Sequence, residues 1–208
     1  MSDRRVRAYI GLGANVGDAE ATLIAAVRAL EALRSISVRA VSRLYATEPV
    51  GVVNQPEFRN AVVALDVPAG PDPATGALDL LATLKGIELQ FGRRDRGRWG
   101  PRELDLDLLV FGRSRIAVER PATARSNDAE LDPAKASKQL EVPHRGAAVR
   151  LFVLAPLADL VPGLVPPGWG RSVETARRRQ AELEGPDAIR VVGTWDVSGQ
   201  RWRAPQAS

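Results

Sequence analysis

Residues Arg98 to Gly112 read RWGPRELDLDLLVFG, and the second half of this stretch has the pattern of a buried β-strand. Side chains of a strand alternate between faces, so Asp105 and Asp107 share one face while Leu104, Leu106 and Leu108 occupy the other. The two aspartates then stand roughly 7 Å apart at Cα. Like charges at that spacing repel, and burial strips both of hydration. Their face is therefore either open to water or covered by something positive.

Outward from this strand the elements alternate in kind. RVRAYIGLG reads as a first strand running into the glycine-rich turn GLGANVGD. Leu23, Ile24, Val27, Leu30 and Leu33 then form a helical stripe. ISVRAVSRLYATE and FRNAVVALDV read as two further strands joined by the turn-rich PVGVVNQPE. A second helix follows from the Pro-Asp start of GPDPATGALDLLATLKGIELQFG, with Gly92 as its stop. With the Asp-bearing strand last, the order is βαββαβ. That order predicts an α+β, ferredoxin-like sandwich: an antiparallel sheet with helices on one face, plus C-terminal additions. The other face is left free to form a site.

The chain is read as a single domain over 1–208. Residues 113–139 read as a surface insertion, because the sequence there turns polar and irregular. Beyond it RLFVLAPLADLVP predicts a short apolar helix, and helical spacing returns weakly in SVETARRRQAELEG. Residues 172–208 form a C-terminal extension whose last part has the pattern of a strand or hairpin before a frayed end.

A length of 208 residues suffices for one sizeable core. There are no cysteines, which excludes disulfides, thiolate zinc sites and cysteine nucleophiles. One histidine, His144, excludes histidine-rich metal sites. No apolar run approaches a membrane span and no signal-like stretch opens the chain, so the cytoplasm is the expected compartment. The net charge of +4 is carried almost wholly by arginine, whose planar fork suits phosphate oxygens. Codon bias accounts equally well for that overall excess. Clustering is more telling: Arg93, Arg94, Arg96, Arg98 and Arg102 crowd the loop before the Asp-bearing strand.

The glycines Gly11, Gly13 and Gly17 miss the dinucleotide spacing by one residue and lack the P-loop ending, so they read as a tight strand-to-helix turn. A lone D-x-D is most often a solvated face. Behind an arginine-dense loop, however, the pair supplies the carboxylate half of a phosphate site, and the hard cation that suits it is Mg²⁺. His144 alone has the standing of an ordinary surface or structural histidine. The aromatic, amide and threonine of YATEPVGVVNQPEFRNAV fit either a plain hairpin loop or a grip on a flat heterocycle.

Taken together, SRLYATEPVG with QPEFRNAV, then RWGPRELDLDLL, then VPH followed six residues after the histidine by RLFVL, resemble the 6-hydroxymethyl-7,8-dihydropterin pyrophosphokinases of folate biosynthesis. The likeness runs from about Ala8 to about Pro167, interrupted by the insertion. It implies transfer of the pyrophosphoryl group of ATP to the pterin's hydroxymethyl oxygen, with release of AMP. By the same resemblance Asp105 and Asp107 would hold two Mg²⁺ ions, and Arg93 and Arg102 would be catalytic cations. Glu88, Arg93, Arg102, His144 and Arg150 would contact ATP. Thr47, Val50, Phe58, Asn60, Trp99 and Phe152 would form the pterin pocket. The implied partners are ATP and the pterin, with no nucleic acid and no membrane, for a monomeric chain.

Two positions depart from the family pattern. Asp95 stands where a second loop arginine is common, flanked by Arg94 and Arg96, which leaves that role unassigned. Arg145 follows the histidine where proline is common. A basic ferredoxin-like sheet with exposed aromatics also resembles an RNA-binding module. Against that reading, Asp105 and Asp107 would repel a phosphate backbone, and no strand of the RGFGFV type is present.

Overall fold

The computed structural model describes residues 4–49, 55–92, 102–121 and 139–205. A seven-stranded antiparallel sheet is built from β1 (Arg5–Ala14), β2 (Ser37–Val41), β3 (Leu44–Thr47), β4 (Phe58–Pro68), β5 (Asp105–Phe111), β8 (Arg190–Asp196) and β9 (Arg201–Arg203). Their order is β5-β1-β4-β3-β8-β9, with β2 pairing β4 beside β3. A separate two-stranded sheet joins β6 (Ile116–Glu119) to β7 (Gln139–Val142). Four α-helices are described: α1 (Ala19–Glu31), α2 (Pro73–Gln90), α3 (Leu151–Leu160) and α4 (Val173–Glu184).

Local signals place the first two helices. Asp18 caps α1 by accepting from the Ala21 N–H at 2.9 Å, just after Gly17 at φ +61°, a backbone conformation that favours glycine. Asp72 caps α2 through the Ala74 and Thr75 N–H groups, with Pro73 in the first turn. Both helices lay their apolar stripes on one face of the sheet. Leu23, Leu30, Leu84, Leu104, Leu106 and Ile10 are buried there in one continuous core. Each such side chain stabilises the fold by roughly 1.5–3 kcal/mol relative to exposure.

Three expectations are revised. Helices cover both faces, because the apolar helix α3 and the start of α4 bury Leu157, Ala158 and Val173 against Tyr9, Val62, Ala64 and Val110 on the opposite side. The segment expected as one strand before Glu48 is two, β2 and β3. It breaks at Ser42, whose backbone N–H and hydroxyl both engage Val62 of β4. Part of the stretch expected as a surface insertion also joins the fold: β6 buries Ile116 beside Leu140 and Val142 of β7. The Pro-free alternation of residues 116–118 accounts for that strand. Residues 122–138 lie outside the described residues.

The C-terminal hairpin β8–β9 extends the sheet. Trp202 is buried in the main core, donates to the Ser42 carbonyl at 2.8 Å, and stacks edge-on with Trp195 at 4.7 Å.

Surface ion pairs make this fold acid-sensitive. On α4, hydrogen bonds from Arg177, with Arg178 adding to them, hold the Glu174 carboxyl down at about 2, against an ordinary value of 4.5. A lowered folded value means the pair stabilises fully above 4.5 and loses that contribution as pH falls towards 2. Thermal melts across this window should therefore steepen for the parent relative to Glu174→Gln, more so at low salt because the pair is partly exposed. Identical pH slopes for the two proteins would contradict the pairing.

Candidate active site

The register across the sheet sets out the site. Asp105 lies opposite Gly13, and Asp107 opposite Gly11. On the other side of β1, Gly13 lies opposite Asn60, which in turn lies opposite Tyr45 of β3. Thr47 lies opposite Phe58. All these residues share the face away from α1 and α2. Gly11 and Gly13 thus belong to the strand rather than to the turn expected for them, and only Gly17 serves the turn. A Cβ on Gly13 would come within 3.4 Å of Asn60 Oδ1. The glycines leave a gap two strand spacings wide, about 10 Å, between the acids and Asn60.

Each rim of the gap is held by hydrogen bonds. Asn60 Nδ2 donates to Thr47 Oγ1 at 2.9 Å, with both residues buried. Phe58, half-buried, begins the same strand. Opposite them, Arg102 donates to Asp105 Oδ2 at 2.9 Å. The approach of Arg102 is fixed by Asn15, a buried residue that sequence reasoning did not single out. Asn15 Oδ1 accepts from the Arg102 N–H at 2.7 Å, and its own N–H donates to the Arg102 carbonyl at 3.0 Å. Its side-chain amide also donates to Gln55 Oε1 and the Pro56 carbonyl. One asparagine just past a glycine-rich strand therefore ties the entry of β5 to the approach of β4. Its position among the glycines was the available signal.

The remaining expected residues reach this face through the chain after β7. The His144 N–H donates to the Leu109 carbonyl at 2.9 Å, two residues beyond Asp107 on β5. His144 Nδ1 accepts from the Gly146 N–H at 3.3 Å, which in a neutral ring leaves Nε2 to carry the proton. The Arg150 guanidinium lies against Gly146 and 5.9 Å from the centroid of the Phe152 ring at the start of α3. His144, Arg150 and Phe152 thus follow one another after β7, and the His144 backbone ties their segment to β5 two residues beyond Asp107.

Glu88 stands apart from that face. It is buried on α2, where Oε1 accepts from the Leu106 N–H and from Lys85 Nζ, both at 2.7 Å, so it fixes the outer edge of β5. Arg120 is a second residue that sequence reasoning missed. Burial lowers its guanidinium below the ordinary arginine value, while the carboxylates of Asp107, Glu88 and Glu141 act in the opposite sense. Nothing local in the sequence marks it, because the charges around it come from three other segments. Arg93, Val50 and Trp99 lie outside the described residues.

Hard oxygen donors on one face, with cations beside them, are the chemistry of a phosphate-handling centre. Comparison with known proteins agrees. The sequence model of the family described as 7,8-dihydro-6-hydroxymethylpterin-pyrophosphokinase (HPPK) matches residues 9–162. The chain belongs to this family. It is 40% identical over 158 residues to the 2-amino-4-hydroxy-6-hydroxymethyldihydropteridine pyrophosphokinase of Pseudomonas aeruginosa, covering 76% of this chain and 82% of that one. It is 37% identical over 185 residues to the protein of the same name from Methylorubrum extorquens, covering 89% and 98%.

Among solved structures, one described as HPPK-DHPS in complex with substrates superposes with a TM-score of 0.67 at 11% identity, over 96% of this chain and 49% of that one. The Plasmodium falciparum HPPK-DHPS structure with pteroate gives 0.68 at 13% identity, over 98% and 48%. At such identities the likeness concerns the fold. This HPPK family member spans about half the length of those two-part chains.

Proposed function

We propose that this protein transfers the pyrophosphoryl group of ATP to the hydroxymethyl oxygen of 6-hydroxymethyl-7,8-dihydropterin, releasing AMP, as a step of folate biosynthesis. The single observation that carries the reading is the pairing across one glycine-floored gap. Asp105 and Asp107 stand on one rim, and Asn60, Thr47 and Phe58 on the other. The supporting fold is read as ferredoxin-like from β1 to β5, with β2 and β3 as two halves of one strand. The strand order β5-β1-β4-β3 supports that reading. No helix among the described residues is long and apolar enough to cross a membrane.

The residues present fit Mg²⁺. Among the described residues no group of three or more histidine, aspartate or glutamate side chains exists to cage an ion. Two carboxylates on one strand face leave coordination positions for water and phosphate, as Mg²⁺ requires. Asp105 and Asp107 would hold two such ions, which would neutralise phosphate charge and acidify the attacking hydroxyl. The chain's own part is alignment and charge, because attack at phosphorus asks for little covalent help. Arg102, His144 and Arg150, joined by Arg93, are assigned to the phosphates. Glu88 is assigned to the nucleotide side by resemblance, through its hold on the outer edge of β5, where Arg120 also lies near its carboxylate. Asn60 is assigned to the polar edge of the pterin beside Thr47, and Phe58 and Phe152 to its faces; Trp99 and Val50 are assigned to the same pocket by resemblance alone.

Incubation with ATP, Mg²⁺ and the reduced pterin should release AMP in step with pterin diphosphate. Absence of AMP, with RNA binding that weakens steeply between two salt concentrations, would favour the nucleic-acid reading instead. Within the site, Phe58→Ala should raise the pterin dissociation constant about tenfold, the value of one lost aromatic contact, and leave that for ATP within about twofold. Equal losses for both ligands would mean that the pterin cleft lies elsewhere.

A further inference from the structure

We propose that the C-terminal segment from α4 to β8 positions the pterin cleft from its β3 side, with Glu184 as its principal positioning residue. The inference rests on the reading of Phe152, Phe58 and Thr47 as cleft residues. The family's sequence model stops at residue 162, so this support comes from chain beyond the matched region.

Three contacts carry the inference, and each lands on the immediate neighbour of a cleft residue. Glu184 Oε1 accepts from the Leu151 N–H at 3.0 Å. Leu151 is buried between Arg150 and Phe152, and Arg150 holds the N-cap position of α3 without capping it through its side chain. The first N–H groups of a helix have no partner within the helix, and a carboxylate there meets both that need and the helix dipole. Gln180 steadies the same oxygen at 2.7 Å.

Next, Arg190 donates to both oxygens of Glu57, at 2.8 and 3.0 Å, one residue before Phe58. Finally, Arg190 pairs in the β3–β8 ladder with Ala46, one residue before Thr47. Neighbours on a strand point to opposite faces, so Tyr45 and Val191 meet on the cleft face while Ala46 and Arg190 meet on the other, and the extension holds the β3 side of the cleft.

Packing closes the arrangement. Tyr45, Leu151 and Ala155 form a small cluster of their own with Ala181, Ala188, Ile189 and Val191 of the segment. Gly185, at φ +92°, makes the turn from α4 towards β8 that a side chain would strain.

The test compares Glu184→Ala, Glu184→Gln and the exposed control Glu182→Ala in the full chain. The readouts are pterin binding by ligand fluorescence, kcat, and the melting temperature. Loss of the cap should raise the pterin dissociation constant about fivefold and lower kcat, with the melting temperature within a few degrees of the parent. Glutamine keeps the accepting oxygen and should restore affinity to within about twofold, and Glu182→Ala should match the parent. Arg190→Ala, which leaves α3 capped, should weaken pterin about twofold with ATP unchanged, and it provides the reading if Glu184→Ala fails to fold.

Parent-like pterin affinity in Glu184→Ala, or a loss that glutamine does not recover, overturns the positioning role. Phe152→Ala separates the two failures. If that variant binds pterin normally, the cleft itself is misassigned. If it binds weakly while Glu184→Ala does not, only the positioning inference falls.

Discussion

Replacing Asp107 by alanine should cut AMP formation about a thousandfold or more, a loss of ~4 kcal/mol of transition-state stabilisation, while the protein still melts as one unit. Asp107 faces the glycine-floored gap from the exposed side of β5, and its neighbours Leu106 and Leu108 carry the packing on the other face. Removing its carboxylate relieves repulsion from Asp105 but also withdraws one of three carboxylates that favour the charged Arg120, and these opposite effects leave the fold intact. What is lost is half of the oxygen donor set for the phosphate-bound cations. Steady-state AMP release, with a thermal melt alongside, checks the prediction. Near-parent turnover in a folded variant would remove the acid pair from the mechanism.

Arg102→Ala should lower kcat about a hundredfold while changing pterin affinity less than about threefold, the pattern of a charge used chiefly in the transition state. The backbone of Arg102 stays placed in the variant, because both hydrogen bonds to Asn15 that fix it use main-chain groups of Arg102. The substitution therefore removes the guanidinium without shifting the entry to β5. It also releases Asp105 Oδ2 from its ion pair. Arg102→Lys should recover only part of the rate, since a single ammonium does not reproduce a planar fork against phosphate. A variant that loses pterin affinity and keeps its kcat would contradict the assignment.

The acid pair was legible because strand alternation is a local rule: once LDLDLL is read as a strand, the shared face of Asp105 and Asp107 follows. Helix starts at Asp18 and Asp72 were legible for the same reason, since a cap acts within three residues. Asn15 was not, because its significance lies in partners 40 and 87 residues away. Glu88 was placed on the nucleotide side by resemblance. Its bond to the Leu106 N–H adds a structural duty that appears only when α2 lies along β5. The covering of the second sheet face by α3 could not be read either, as an apolar helix pattern does not specify which surface it will bury against.

By itself, then, the sequence determined through short-range pattern the order of strands and helices from β1 to β5, apart from the break between β2 and β3, and the face shared by the two aspartates; the resemblance of three motifs in order gave the pyrophosphokinase family. Only the tertiary structure decided that Gly11 and Gly13 floor the gap between acids and cleft, that Arg120 sits half-buried near three carboxylates, and that α4 and β8 brace the β3 side of the cleft. These depend on which distant segments meet. That is settled by the register of strand pairing and the burial of apolar faces over the whole chain, and no local window of sequence contains either.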